Sequence, residues 1–168
     1  MTDRMARALD VRAELICDFA RSALFSHTFA EGMKLVDETA AYLDGAGRRE
    51  SKLLSRSAAL AYAAESMRLT TRLMQMASWL LVQRAVSEGE MSPEAACAPN
   101  YRLAEEPASG DPSPGLPATM RSLLARSTTL FGRVRHLDRR VYGEESGTQQ
   151  AHPILEQIEK LRGAFETG

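Results

Sequence analysis

The sequence predicts an all-α protein, an antiparallel three-helix bundle built on a long central helix and held as a dimer. Three observations carry that reading. No window of alternating Val, Ile, Thr or aromatic residues is bounded by a hairpin turn, so no strand is expected. Long segments with apolar residues every three or four positions flank a proline-rich stretch, and that spacing is the period of an amphipathic helix. In the longest of them, ESMRLTTRLMQMASWLLVQRAV at residues 65–86, the apolar side chains do not keep to one face.

At 168 residues the chain suits one domain with a single core. The expected organisation is an N-terminal segment over 1–24, the bundle over 25–142 with an irregular connection at about 98–116, and a polar linker with a short C-terminal helix over 143–168. Six of the seven prolines fall between Pro93 and Pro117, which marks the connection.

The first bundle helix is expected to start at Thr28, with Glu31 reaching back to the cap, and to stop at the glycines of LDGAG. Phe29, Met33, Val36, Ala40 and Leu43 form its stripe. The second begins between Ser51 and Ser57 and stops at Gly89, a rod of about 50 Å at 1.5 Å per residue. Ser92 then caps a short turn whose first residue is Pro93. The third helix follows Pro117, with Met120, Leu123, Ser127, Leu130, Val134, Leu137 and Val141 on one face. After the polar GEESGTQQA, the residues Ile154, Ile158, Leu161 and Phe165 line up at helical spacing.

The central helix carries two seams. Leu53, Leu60, Met67, Met74 and Leu81 recur every seven positions, with small Ala63, Thr70 and Ala77 three residues beyond the later members. Tyr62, Leu69, Leu73, Met76 and Leu80 cluster on nearly the opposite side. In a three-helix bundle both neighbours of a helix sit on one continuous arc, so the second seam calls for further cover. Leaving such side chains wet forgoes about 1.5 to 3 kcal/mol each. A homodimer interface is therefore expected at Tyr62, Leu69, Leu73, Met76 and Leu80; docking of the fourth helix, or one broad core that takes both seams, are the alternatives. Between the seams lie Arg68, Arg72, Gln75 and Gln83 around Trp79. Arginines and amides beside a tryptophan compose many interaction hot spots, so these five are candidate partner contacts, against the alternative that Trp79 is simply packed on the third helix.

No chemistry emerges. The glycines of DGAGRRE lack the further glycine and preceding strand of a dinucleotide loop, and no GxxxxGK[ST] occurs. His27, His136 and His152 stand without metal-ligand spacing, and Cys17 and Cys97 form no CxxC. Catalytic, metal and cofactor sites are accordingly not expected. The longest charge-free run near the centre, residues 73–83, is far short of the roughly 20 apolar residues of a membrane span. Twenty-one basic against 22 acidic residues give no overall pull toward nucleic acid. The third helix is locally basic, with Arg121, Arg126, Arg133, Arg135, Arg139 and Arg140 against Asp138 alone. Arg135 and Arg139 are candidate contacts for an acidic protein surface; a plain solvated face and nucleic-acid binding are the alternatives, although no helix-turn-helix arrangement accompanies these arginines.

The strings EGMKLVDETAAYLDGAGRRESKLLSR, LAYAAESMRLTTRLMQMASWLLVQRAVSEGEMSPEAA and LLARSTTLFGRVRHLD resemble the alphaproteobacterial RcdA family, regulators of CtrA degradation. The likeness is strong over about residues 31–97 and weaker over 116–138. It implies a helical, dimeric, non-enzymatic cytoplasmic adaptor that helps the ClpXP protease receive cell-cycle proteins, among them the response regulator CtrA, together with accessory factors. It supplies no motif residue with a chemical role, so the candidate contacts rest on the residue patterns alone.

Overall fold

Among the described residues four long helices form the bundle, one more than the periodicity of residues 25–142 suggests. The computed structural model describes residues 2–104 and 113–142; the expected C-terminal helix and part of the proline-rich connection lie outside them. In chain order the helices are α1 (Thr2–Ala20), α2 (Ala23–Asp44), α3 (Ala46–Ser51), α4 (Arg56–Ser87), α5 (Pro93–Ala96) and α6 (Ala118–Tyr142). The described residues contain no strand.

The additional long helix is α1. Its inward stripe is Ala13, Ile16 and Ala20, small or medium side chains set among charges. It packs against α4, α5 and α6. The turn into α2 is fixed by Ser22, whose Oγ accepts from Phe25 N at 3.1 Å and donates to Phe19 O at 2.7 Å. This serine, and not Thr28, is the cap. Thr28 lies a turn inside the helix, where its hydroxyl donates to Leu24 O at 2.8 Å, the back-bond open to a buried mid-helix threonine.

The later boundaries follow the expected signals. Ser55 caps α4 by accepting from Ala58 N at 3.3 Å, and the helix stops before Gly89, which takes φ +76. Ser92 caps α5 with Pro93 at its start, as the sequence predicts. A short 3-10 turn, Pro99–Tyr101, follows, and α6 begins just after Pro117.

The helix directions depart from the expected alternation. Residues 72 and 127, and then 79 and 138, meet across α4 and α6, so the two helices run parallel. Helix α2 runs opposite to both: its residue 32 abuts residue 80 of α4, and its Glu31 and Glu38 pair with Arg133 and Arg126 of α6. A 32-residue helix is about 48 Å long. The connection over residues 88–117, extended at about 3.3 Å per residue, spans that length with ample slack, so it returns the chain to the starting end of α4.

At the corner where α2 meets α3, Tyr42 donates to Glu50 Oε2 at 2.8 Å, and Gly47 lies against the rings of Tyr42 and Tyr62. A Cβ on Gly47 would stand 2.5 Å from Tyr62 Oη and 2.8 Å from Tyr42 Cε1. Gly132, in the exposed middle of α6, has nothing within 4 Å of the corresponding position. Gly47→Ala is therefore expected to destabilise by about 1 to 3 kcal/mol through overpacking. Gly132→Ala is expected to stabilise by about 0.5 to 1 kcal/mol. Urea denaturation of the two variants beside the wild type checks both signs.

Candidate functional site

The two seams of α4 have different fates. Tyr62, Leu69, Leu73, Met76 and Leu80, the expected dimer interface, are all buried within the single chain. Leu80 reaches so close to Gly32 of α2 that a Cβ there would lie 2.7 Å from Leu80 Cδ1. The seam expected in the core is instead the open one. Leu60, Met67, Met74 and Leu81 are 67%, 73%, 65% and 52% exposed, and Leu53, just before the helix, is 87% exposed. The periodicity correctly separates the seams but does not say which one the neighbours take. Helices α1, α2 and α6 together cover one continuous arc, from Leu69 round to Trp79, so no second copy is needed on that side. Beside the open seam, Val36, Ala40 and Leu43 of α2 join Thr70, Met74 and Ala77 of α4 around an apolar groove of about 320 Å³.

Of the candidate partner contacts on α4, three are interior. Trp79 is buried beside Phe19 of α1, ring centres 5.9 Å apart. Its Nε1–H donates to Asp138 Oδ1 at 2.8 Å, and Leu103 N donates to the same oxygen at 3.2 Å. The second carboxylate oxygen faces Arg102 Nη2 at 3.6 Å. Asp138, in sequence the lone acid of a basic helix, is thus a buried anchor for α4 and the crossover. Arg72 is likewise buried and donates to Ser127 Oγ at 2.7 Å; Ser127 donates in turn to Leu124 O at 2.8 Å. Gln83 is fully buried, its amide near the Tyr142 hydroxyl but outside hydrogen-bond geometry. Tyr142 donates to Ala96 O at 2.6 Å, and burial pushes its hydroxyl pKa up to about 12. Arg72 and Trp79 join α4 to α6, and these two together with Gln83 are buried and not open to a partner.

The remaining candidates are at the surface. Arg68 is exposed and pairs with Glu65 at 2.7 Å, and Gln75 is half-buried at the edge of a cleft under residues 100–104. On α6, Arg126 and Arg133 are tied to Glu38 and Glu31, and the hydrogen bond from Arg126 lowers the Glu38 carboxyl pKa. The outward line of α6 is different. Arg121, Arg135 and Arg139 are separated by whole numbers of turns. Arg135 is half-buried with its guanidinium 5.9 Å from the Phe131 ring centre, and Arg139 is exposed. The single acid of α6, Asp138, points inward, so this face is positive without an acid of its own helix.

Among the described residues, no group of three or more His, Cys, Asp or Glu side chains is placed to hold a metal ion. No described helix is long and apolar enough to cross a membrane. The features that stand out are surfaces: an apolar seam on α4 and a basic line on α6.

A family model described as "Protein of unknown function (DUF1465)" matches residues 16–165. None of the curated proteins matches the chain. The crystal structure of RcdA from Caulobacter crescentus CB15 is similar at 66% identity, covering 74% of this chain and 96% of that chain, with a TM-score of 0.64. The chain belongs to the DUF1465 family, the family of RcdA.

The buried node makes a direct test possible. Trp79→Phe keeps most of the ring and removes the donor to Asp138, at an expected cost of about 1 to 3 kcal/mol for leaving a buried acceptor short of a partner. The denaturation midpoint should fall while the mass in solution stays that of the wild type. A change of mass without loss of stability would contradict the interior assignment.

Proposed function

We propose that the chain is a non-enzymatic cytoplasmic adaptor in regulated proteolysis that helps bring cell-cycle proteins, CtrA among them, to the ClpXP protease in concert with accessory factors. The observation that carries this reading is the 66% identity with RcdA over 96% of that chain. The two open faces are what such a role needs. An adaptor lowers no chemical barrier; it raises the effective concentration of one protein beside another.

In this reading the α4 seam pairs with a second copy of the chain. The seven-residue recurrence of Leu60, Met67, Met74 and Leu81 suits a second long helix crossing at a shallow angle, and Ala63, Thr70 and Ala77 let it come close. A two-fold pairing buries the same four side chains from each copy. At about 1.5 to 3 kcal/mol for each fully buried side chain, the total is on the order of 10 kcal/mol, comparable with the roughly 4 to 15 kcal/mol cost of association. The homodimer expected from the sequence is thus retained on the opposite side of the helix. Met67→Glu combined with Met74→Glu should halve the mass measured by light scattering and leave the circular dichroism spectrum unchanged. A spectrum that collapses with the mass would place the seam in the fold, and a mass that does not change would remove the pairing.

The basic line of α6 is the proposed contact for an acidic surface of a protease component or cargo. Arg135→Glu with Arg139→Glu is expected to weaken capture of the partner by roughly tenfold and to slow cargo degradation in a reconstituted reaction with all accessory factors. Equal cargo turnover with and without the wild-type protein in that reaction would end the adaptor reading. Nucleic-acid binding, the alternative that rests on the arginines of α6, requires affinity that falls steeply with salt. The pairing of Arg126 and Arg133 with α2 leaves it fewer free charges.

A further inference from the structure

A second apolar patch lies away from the α4 seam. Of the large hydrophobic side chains exposed among the described residues, five belong to that seam or its approach; the other three are Val11, Leu15 and Leu24. Leu15 and Leu24 line a groove of about 340 Å³ together with Phe19, Leu137 and Val141, with Asp18 and Arg140 at its margin. Val11 stands one turn from Leu15 along α1.

We propose that this groove is the docking site of the chain's own C-terminal segment, residues 154–165, folded back in cis as an amphipathic helix. The wall of the groove includes Val141, and α6 ends at the next residue, Tyr142, so the chain departs from the site it is proposed to fill. Residues 143–153 form the linker; extended, it reaches about 35 Å at roughly 3.3 Å per residue, enough to reverse direction and lie along α1. The segment carries Ile154, Ile158, Leu161 and Phe165 at helical spacing, flanked by Glu156, Glu159, Lys160 and Arg162. Its apolar stripe matches the groove, and its mixed charges match a margin with one acid and one base.

Length argues against the α4 seam as the tail's site. A helix over residues 154–165 is about 18 Å long, whereas the seam from Leu60 to Leu81 extends about 32 Å. The seam fits a second rod of its own length and is nearly twice as long as the segment. The family match also runs to residue 165 and so takes in this segment.

Tethering raises the effective concentration of a short helix to about the millimolar range, so even a weak contact keeps the groove covered. A partner helix that uses the groove must then displace the tail. The contact is independent of the adaptor reading, since it concerns a single copy of the chain.

The test is photocrosslinking in the full chain with p-benzoylphenylalanine at position 24, using a mixture of isotopically light and heavy protein. The expected product joins residue 24 to residues 154–165 in light–light and heavy–heavy form only. It should be lost in Ile158→Asp combined with Leu161→Asp, with the dichroism of the bundle retained. Hydrogen exchange over residues 11–24 should be faster in that double variant without the photoprobe. Light–heavy products would assign the groove to the tail of a second copy. Products with another segment, or none with the tail, would leave the proposed occupant without support. Each of these results, like unchanged exchange in the double variant, overturns the proposal.

Discussion

A carboxylate inside an otherwise apolar bundle sets the arrangement of its neighbours. Asp138 is buried, and a polar side chain removed from water demands hydrogen-bond partners from whatever surrounds it. It takes them from the indole of Trp79 on α4 and the backbone N–H of Leu103 in the crossover, with the guanidinium of Arg102 near its other oxygen. Those contacts fix three things together: the parallel placement of α4 beside α6, the path of the chain between them, and the rotation of α4 about its axis. With Trp79 turned to Asp138 and Arg72 turned to Ser127, Leu69, Met76 and Leu80 fall into the core. Leu60, Met67, Met74 and Leu81 are carried to the outside. The open seam is the side of α4 left outward once Trp79 and Arg72 face α6.

The features legible in the sequence are those decided locally. Ser92 with Pro93, Gly89, and the Met120-to-Val141 stripe of α6 announce themselves because a cap, a stop or an amphipathic face is specified within a few residues. Features decided by distant partners were not legible. Thr28 satisfies a capping pattern, yet its hydroxyl is used inside a helix whose start is set by Ser22. Helix α1 hides its stripe in Ala13, Ile16 and Ala20, too small to stand out among charges. Asp138 reads as a surface residue by its arginine neighbours, whereas Trp79 leaves two readings open, a partner contact or packing on the third helix, and the structure takes the second. Only their meeting across 59 positions makes each a core residue. The signal that was present was Ser127 on the apolar face of α6, a polar group at a position that asks for a buried donor.

The same physics explains why the candidate site is a pair of faces and not a pocket with convergent groups. Of the buried polar side chains, Arg72 with Ser127 and Asp138 with Trp79 form contacts between α4 and α6, while Thr28 bonds back within its own helix. The charges left outside fall into two kinds. Arg126 and Arg133 join α6 to α2 through Glu38 and Glu31. Arg139 is exposed to solvent, and Arg135 lies half-buried near Phe131. Exposed ion pairs of this kind contribute about 0 to 1 kcal/mol each, so their main effect is on charge pattern: they neutralise the side of α6 that faces α2 and leave the outward side positive.

The two faces are geometrically compatible. On α4 the open seam lies away from Trp79 and Arg72, and those two side chains mark the side that packs on α6. A second copy laid along the seam therefore sits across α4 from α6, and a two-fold axis through that contact places both α6 helices on the outside of the pair. Each basic line stays free when the seam is covered. Such a pair presents two identical basic faces joined by a rigid pair of long helices, so that a partner with two acidic sites, or two partners held together, gains from multivalency without any further contact. In the proposed pairing, the orientation of α4 set by the Trp79–Asp138 contact turns the seam away from α6, so that a second copy on the seam leaves the basic face open.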